Sequence, residues 1–192
     1  TSNGSGRAGD LTWDALSRLD AGGWHSRSYA GEPLPTLAAV AAFVRANGHA
    51  LNIEIKPTPG LERETGAAVA REAERLWAGD RFAPLLSSFR PDALMSAREA
   101  APALPRALLV DTLWDGWLDA ARALEAVAVI SNHRIMDAAL LAQARAAGLK
   151  TMCYTVNEPA DAERLWTLGV DGLITDAVDR FVIRLRRVTL EN

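Results

Sequence analysis

Apolar residues follow two alternating rhythms along most of this chain. Short runs at 85–89, 107–110, 127–131, 151–156 and 172–175 have the length and composition of buried strands. Between them, apolar residues recur three and four apart, the helical spacing, over 61–77, 91–100, 115–124, 135–147 and 159–168. Gly148 and Gly169, 21 residues apart, each stop a helix just before a strand. A last helix is predicted over 177–187, where Arg180, Arg184, Arg186 and Arg187 read as a solvated face near a helix C-terminus.

The earlier part is less regular. Residues 11–19 predict a short helix, and 21–35 are turn-rich, with Gly22-Gly23, Gly31, Pro33 and Pro35 around Trp24, His25 and Tyr29. Pro35-Thr36-Leu37 opens a helix to about Ala46, with Leu37, Val40, Ala41 and Val44 as its apolar stripe. Residues 1–10 are small and polar and begin at Thr1, so the chain is expected to start partway through a longer protein.

One strand breaks the apolar rule. Leu51-Asn52-Ile53-Glu54-Ile55-Lys56-Pro57 places Leu51, Ile53 and Ile55 on one face and Asn52, Glu54 and Lys56 on the other. Pro57 stops the ladder, which sets Glu54 and Lys56 at the strand's C-terminal end. The bland reading is an ion pair filling a barrel interior, which is costly to desolvate. The functional reading makes Glu54 a hard-cation ligand or proton carrier, and Lys56 an anion clamp or amine nucleophile.

Composition narrows the classes. With 192 residues, 49% of them hydrophobic, the chain is long enough for one domain and one core. A net charge of −3 gives no basic footprint for nucleic acid. Cys153 is the only cysteine, which excludes an internal disulfide and a multi-cysteine zinc site. No apolar run reaches the roughly 18 residues a membrane span needs, so a cytoplasmic protein is expected.

Strands beginning near 51, 85, 107, 127, 151 and 172 recur about every 24 residues, each followed by a helix. This predicts an α/β fold, a TIM (β/α)8 barrel with about six of its eight β-α units visible. An open doubly wound sheet is the alternative, but no glycine-rich phosphate loop follows a strand. The barrel would gather Ser87, Ser88, Phe89, Asn132, His133, Tyr154, Asn157 and Asp176 at one rim with Glu54 and Lys56. For Asn157 and Asp176 taken alone, helix capping is the plainer role. Ser87 and Ser88 lack the spacing of a nucleophilic triad. His25, His49 and His133 show no metal-ligand spacing and read as loop or surface residues.

Several of these stretches together resemble the bacterial glycerophosphodiester phosphodiesterases. They are Leu19-Asp20-Ala21-Gly22 with Trp24, Gly31-Glu32-Pro33-Leu34-Pro35-Thr36-Leu37, and Leu51 to Pro57. The set continues with Pro84-Leu85-Leu86-Ser87-Ser88-Phe89, Tyr154-Thr155-Val156-Asn157, and Gly169-Val170-Asp171-Gly172 with Thr175-Asp176. They occur in family order across nearly the whole chain. The resemblance implies a TIM barrel over 1–192, with a small insertion at about 10–35, that hydrolyses glycerophosphodiesters to an alcohol and glycerol 3-phosphate with Mg2+ or Ca2+. It implies Glu54 as a metal ligand, Lys56 as a holder of phosphate charge, and Tyr154 as an aromatic against the glycerol moiety. Ser88, Phe89, Asn132 and Asn157 are the further candidates for substrate contact.

The resemblance also implies two catalytic histidines and two further carboxylates, in family segments that precede the position of Thr1. None of His25, His49 or His133 matches them. The 192 residues alone are therefore expected to be inactive and prone to association through open strand edges, with a homo-oligomer left open. Two other readings stand beside this one: a Schiff-base lyase or aldolase using Lys56, and a degenerate barrel serving as a binding module.

Overall fold

The computed structural model describes residues 1–181. A one-turn helix α1 (Trp13–Leu16) and a longer α2 (Leu37–Ala46) come first. Strand and helix then alternate: β1 (Asn52–Glu54), α3 (Glu62–Leu76), β2 (Leu85–Ser88), α4 (Pro91–Ala100), β3 (Arg106–Val110) and α5 (Trp117–Ala123). After them come β4 (Ala128–Asn132), α6 (Ala138–Ala146), β5 (Lys150–Tyr154), α7 (Pro159–Leu168) and β6 (Gly172–Leu173). The six strands form one sheet in the order β1-β2-β3-β4-β5-β6, and every neighbouring pair is parallel.

That order explains the shape. Crossovers between consecutive parallel strands share one hand, so every helix lands on the same face and the sheet curls around the other. The packing agrees. Ala70, Leu94, Ala97, Ala121, Leu141 and Leu165 of the helices meet Leu86, Leu108, Val110, Val129 and Cys153 of the strands in the main core. A second cluster, Ala107, Leu109, Ala128 and Ile130 with Leu85, Met152, Tyr154 and Ile174 against it, draws on the strands and Ile174 just past β6. It lines the concave face. The fold is a curled partial barrel of the TIM type.

Local chemistry sets most element ends. Thr36 caps α2 by accepting from Ala39 N at 3.1 Å, and Asp137 caps α6 by accepting from Leu140 N at 2.8 Å. Pro91 and Pro159 open α4 and α7, where a missing N–H costs nothing. Some expected boundaries move. The helix read from 135 starts at Ala138, because Asp137 takes the capping position. The strand read over 51–57 narrows to Asn52–Glu54, although Ile55 N still donates to Ser87 O at 2.6 Å. Of the helix read over 177–187, Val178–Arg180 is a single 3-10 turn, and residues from 182 on, with Arg184, Arg186 and Arg187, lie outside the described residues.

The segment before α2 is pinned by one carboxylate. Asp20 Oδ1 accepts from Gly22 N and Gly23 N, both at 2.8 Å, while Asp20 N donates to Asn3 Oδ1 at 2.9 Å. Backbone N–H groups of Gly23, Gly22 and Gly31 hold the Asp20 carboxyl below the usual carboxylate range. Elsewhere, Cys153 is fully buried on the helix side of β5, its Sγ 3.8 Å from Ser131 Oγ, and burial pushes the thiol up. Among the described residues no helix is long and apolar enough to cross a membrane.

Helices α3 and α4 meet at Gly66, where an added Cβ would run into the carbonyl oxygen of Ala93 and the Ser96 hydroxyl. Alanine normally favours a helix over glycine by about 1 kcal/mol. Here the obstruction is backbone, which cannot rotate away, so overpacking should win. Gly66→Ala is expected to lower stability by about 1–3 kcal/mol, read as a lower urea midpoint. A raised midpoint would mean that α3 shifts freely against α4.

Candidate active site

The polar groups of interest stand at the C-terminal ends of the strands. Strand positions paired in register share one side of the sheet. Glu54 pairs with Ser87, and Ser87 with Ala107, a member of the concave cluster, so Glu54 faces the concave side as the last residue of β1. Continuing the alternation puts Lys56 on that side, one step beyond the sheet. Both side chains are exposed. Among the described residues neither has an ion-pair partner, so the buried pair that residue types left open is not formed. Ser87 beside Glu54 is fully buried, and its hydroxyl has no partner among the described residues.

The opposite side of the rim holds a polar network. The Tyr154 hydroxyl donates to Asp111 Oδ1 at 3.1 Å, and Asn132 Nδ2 donates to the same oxygen at 2.9 Å. Asn132 Oδ1 accepts from Arg134 N at 3.0 Å, which fixes the amide's orientation. The Phe89 ring stands edge-on to Tyr154, with centroids 5.6 Å apart and planes at 88°. Burial pushes the Tyr154 hydroxyl well above the ordinary tyrosine range, with the hydrogen bond to Asp111 and the charges of Asp111 and Glu54 adding to it. Tyr154 is thus a neutral donor within electrostatic reach of Glu54. Phe89, Asn132 and Tyr154 come together as the barrel reading requires.

Asp111 was not among the candidates from sequence. It is the first residue past β3, at the end of the apolar run 107–110. The rule that singled out Glu54, a carboxylate at a strand's C-terminal end, would have found it.

Two other candidates have different surroundings. Ser88 faces the helices, fully buried, donating to Ile55 O at 2.6 Å and accepting from Arg90 N at 3.1 Å. It ties β1 to the turn after β2, away from the concave face. Asn157 does not cap α7, whose capping position is Glu158 with no side-chain bond. Its Oδ1 accepts from Asp176 N at 2.9 Å and from the Thr175 hydroxyl at 3.0 Å, and its Nδ2 donates to Asp176 Oδ2 at 3.3 Å. Asp176 therefore also serves this clip, joining the loops after β5 and β6, and caps no helix.

The histidines are dispersed. His25 sits edge-on to both Trp24 and Tyr29, with centroids at 5.7 and 5.1 Å. His49 follows α2, 6.3 Å from the Phe43 ring centroid. His133 follows β4 with its Nδ1 3.7 Å from Asp161 Oδ1. Among the described residues none bonds to Glu54 or Lys56. Glu54 offers a hard oxygen suited to magnesium or calcium, but among the described residues no three His, Cys, Asp or Glu side chains gather to hold a metal ion. These residues offer one candidate carboxylate and not a cage.

The chain is similar in sequence and fold to known proteins. A model of the glycerophosphoryl diester phosphodiesterase family matches residues 1–180. A glycerophosphodiester phosphodiesterase of Caldanaerobacter subterraneus subsp. tengcongensis is 30% identical over 194 residues, an alignment covering 97% of this chain and 76% of that protein. One of Bacillus subtilis is 28% identical over 201 residues, covering 94% of this chain and 67% of its own length. A phosphodiesterase of Oleispira antarctica, solved in complex with the product sn-glycerol-3-phosphate, superimposes with a TM-score of 0.85 at 31% identity, covering 92% of this chain and 71% of that one. The chain belongs to the glycerophosphoryl diester phosphodiesterase family.

Proposed function

We propose that this protein hydrolyses glycerophosphodiesters to an alcohol and sn-glycerol 3-phosphate, with Glu54 and Lys56 at the reacting end of the site. The observation that carries the reading is an exposed carboxylate and ammonium, two residues apart at the end of β1 on the concave face, in a chain of this family. The Oleispira relative, with sn-glycerol-3-phosphate as its bound product, supports the same substrate class. The cytoplasm fits the single buried thiol of Cys153.

In this reaction a water oxygen bonds to phosphorus, the bond to the alcohol oxygen breaks, and the proton lost by water reaches the departing oxygen. Lys56 Nζ sets a positive charge against the phosphoryl oxygens, where negative charge grows in the transition state. Glu54 would supply one carboxylate ligand to magnesium or calcium, and the ion would contribute Lewis-acid chemistry toward the phosphoryl group. Phe89 and Tyr154 offer ring edges and faces to the carbon part of the substrate. No described histidine stands beside Glu54 and Lys56, so the proton transfers have no assigned carrier among these residues.

Three outcomes are expected. In the full-length protein, Lys56→Met keeps the length and removes the charge, and should lower kcat for release of sn-glycerol 3-phosphate by about 10²-fold. Undiminished turnover would remove Lys56 from the reaction. Glu54→Gln keeps the shape, and calorimetry should read magnesium or calcium binding weakened at least about tenfold. Equal affinity in the variant and the parent would exclude Glu54 as a ligand. Borohydride with a small carbonyl compound should leave Lys56 unmodified in the mass spectrum, whereas a trapped adduct would favour the lyase chemistry.

A further inference from the structure

The rim has two ends of different chemistry. Lys56 brings a positive charge to one end, where an anion is stabilised. At the other end stands Asp111, whose negative charge repels a phosphate and accepts hydrogen bonds instead. Asp111 Oδ1 is already engaged by the Tyr154 hydroxyl at 3.1 Å and by Asn132 Nδ2 at 2.9 Å. Those two donors come from β5 and β4, so the carboxylate is held from two strands before any ligand arrives. Its Oδ2 has no partner among the described residues, and the side chain is exposed. The Phe89 and Tyr154 rings beside it present an apolar surface at right angles.

We infer that Asp111 is the specificity-determining residue for the hydroxyl-bearing half of the substrate: its Oδ2 accepts from the vicinal hydroxyls of the glyceryl group, whose carbons lie against Phe89 and Tyr154. A polyol needs acceptors, because each hydroxyl loses a hydrogen bond to water on binding. A fixed carboxylate returns that bond in charge-assisted form, about twice as strong as a neutral one. Its orientation is set before binding, so little freedom is lost when the ligand arrives. The like charges of Asp111 and the phosphate keep the ligand in one direction, with phosphorus at Lys56 and hydroxyls at Asp111. This inference rests on the phosphodiesterase reading and adds to it the residue that reads the diol.

The test compares two phosphate monoesters that differ in the diol. The protein is titrated calorimetrically with sn-glycerol 3-phosphate and with n-propyl phosphate in magnesium or calcium chloride. The parent protein should prefer sn-glycerol 3-phosphate by about tenfold or more, the worth of one charge-assisted bond. Asp111→Ala should bring the two affinities within about twofold by weakening only the glycerol ester. Tyr154→Phe, which removes one donor to Asp111 and keeps the ring, should retain most of the preference. Should Asp111→Ala fail to fold by circular dichroism, Asp111→Asn takes its place and should cut the preference at least about threefold. A preference that survives at position 111, or an equal loss for both esters, overturns the assignment. A loss in Tyr154→Phe as complete as in Asp111→Ala also overturns it, since Asp111 would then act through the tyrosine. If neither ester binds the parent protein, the phosphodiesterase reading itself falls, and this subsite with it.

Discussion

The handedness of the strand-to-strand crossover governs this molecule more than any single contact. With β1 to β6 paired in sequence order and all parallel, helices α3 to α7 pack on one face of the sheet. Among the described residues the other face has no helix to bury it, so the strands bury it themselves by curling. Ala107, Leu109, Ala128 and Ile130 do this with small and branched side chains. Polar side chains on that face are tolerated where the curl opens, at the C-terminal ends. Placement of the site therefore follows from the winding of the sheet.

Within that rim, residues divide between those that face the open concavity and those that hold the loops. Glu54, Lys56, Phe89, Asp111, Asn132 and Tyr154 belong to the open side. Ser88 and Asn157 hold loops together through bonds that leave their side chains no free group aimed at the concavity. Arg164 does similar work nearby, donating to His133 O at 2.7 Å and Met136 O at 3.1 Å. Loops tied in this way present the open-side residues from rigid ends, which is what a site for a small polar molecule needs.

Much of this was legible in the residues because period and composition change together in a β-α repeat. Apolar runs bounded by Gly148 and Gly169 mark strands whatever their partners, and Glu54 with Lys56 stands out against such a run. Asp111 stands at a strand's C-terminal end as Glu54 does, but no second charge two residues away marks it. Its partners Asn132 and Tyr154 lie 21 and 43 residues further on and meet it only once the strands are side by side. Ser88 and Asn157 read as substrate contacts from residue type at a strand end, yet a strand's alternation and a loop's path decide which way such a side chain turns. The start of α6 moved for a nearer reason: the Asp137 carboxylate competes for the N–H of Leu140 and begins the helix late.

Cys153 carries a consequence for watching the fold at work. It is the only thiol in the chain, fully buried between β5 and the helices, and burial raises its pKa. A thiol in that setting reacts with alkylating reagents only when the layer over β5 opens. Its labelling rate is therefore a built-in clock for separation of sheet and helices, readable in the unmodified protein without an added probe. Because β5 also carries Tyr154, the same clock reports how firmly one wall of the rim is held.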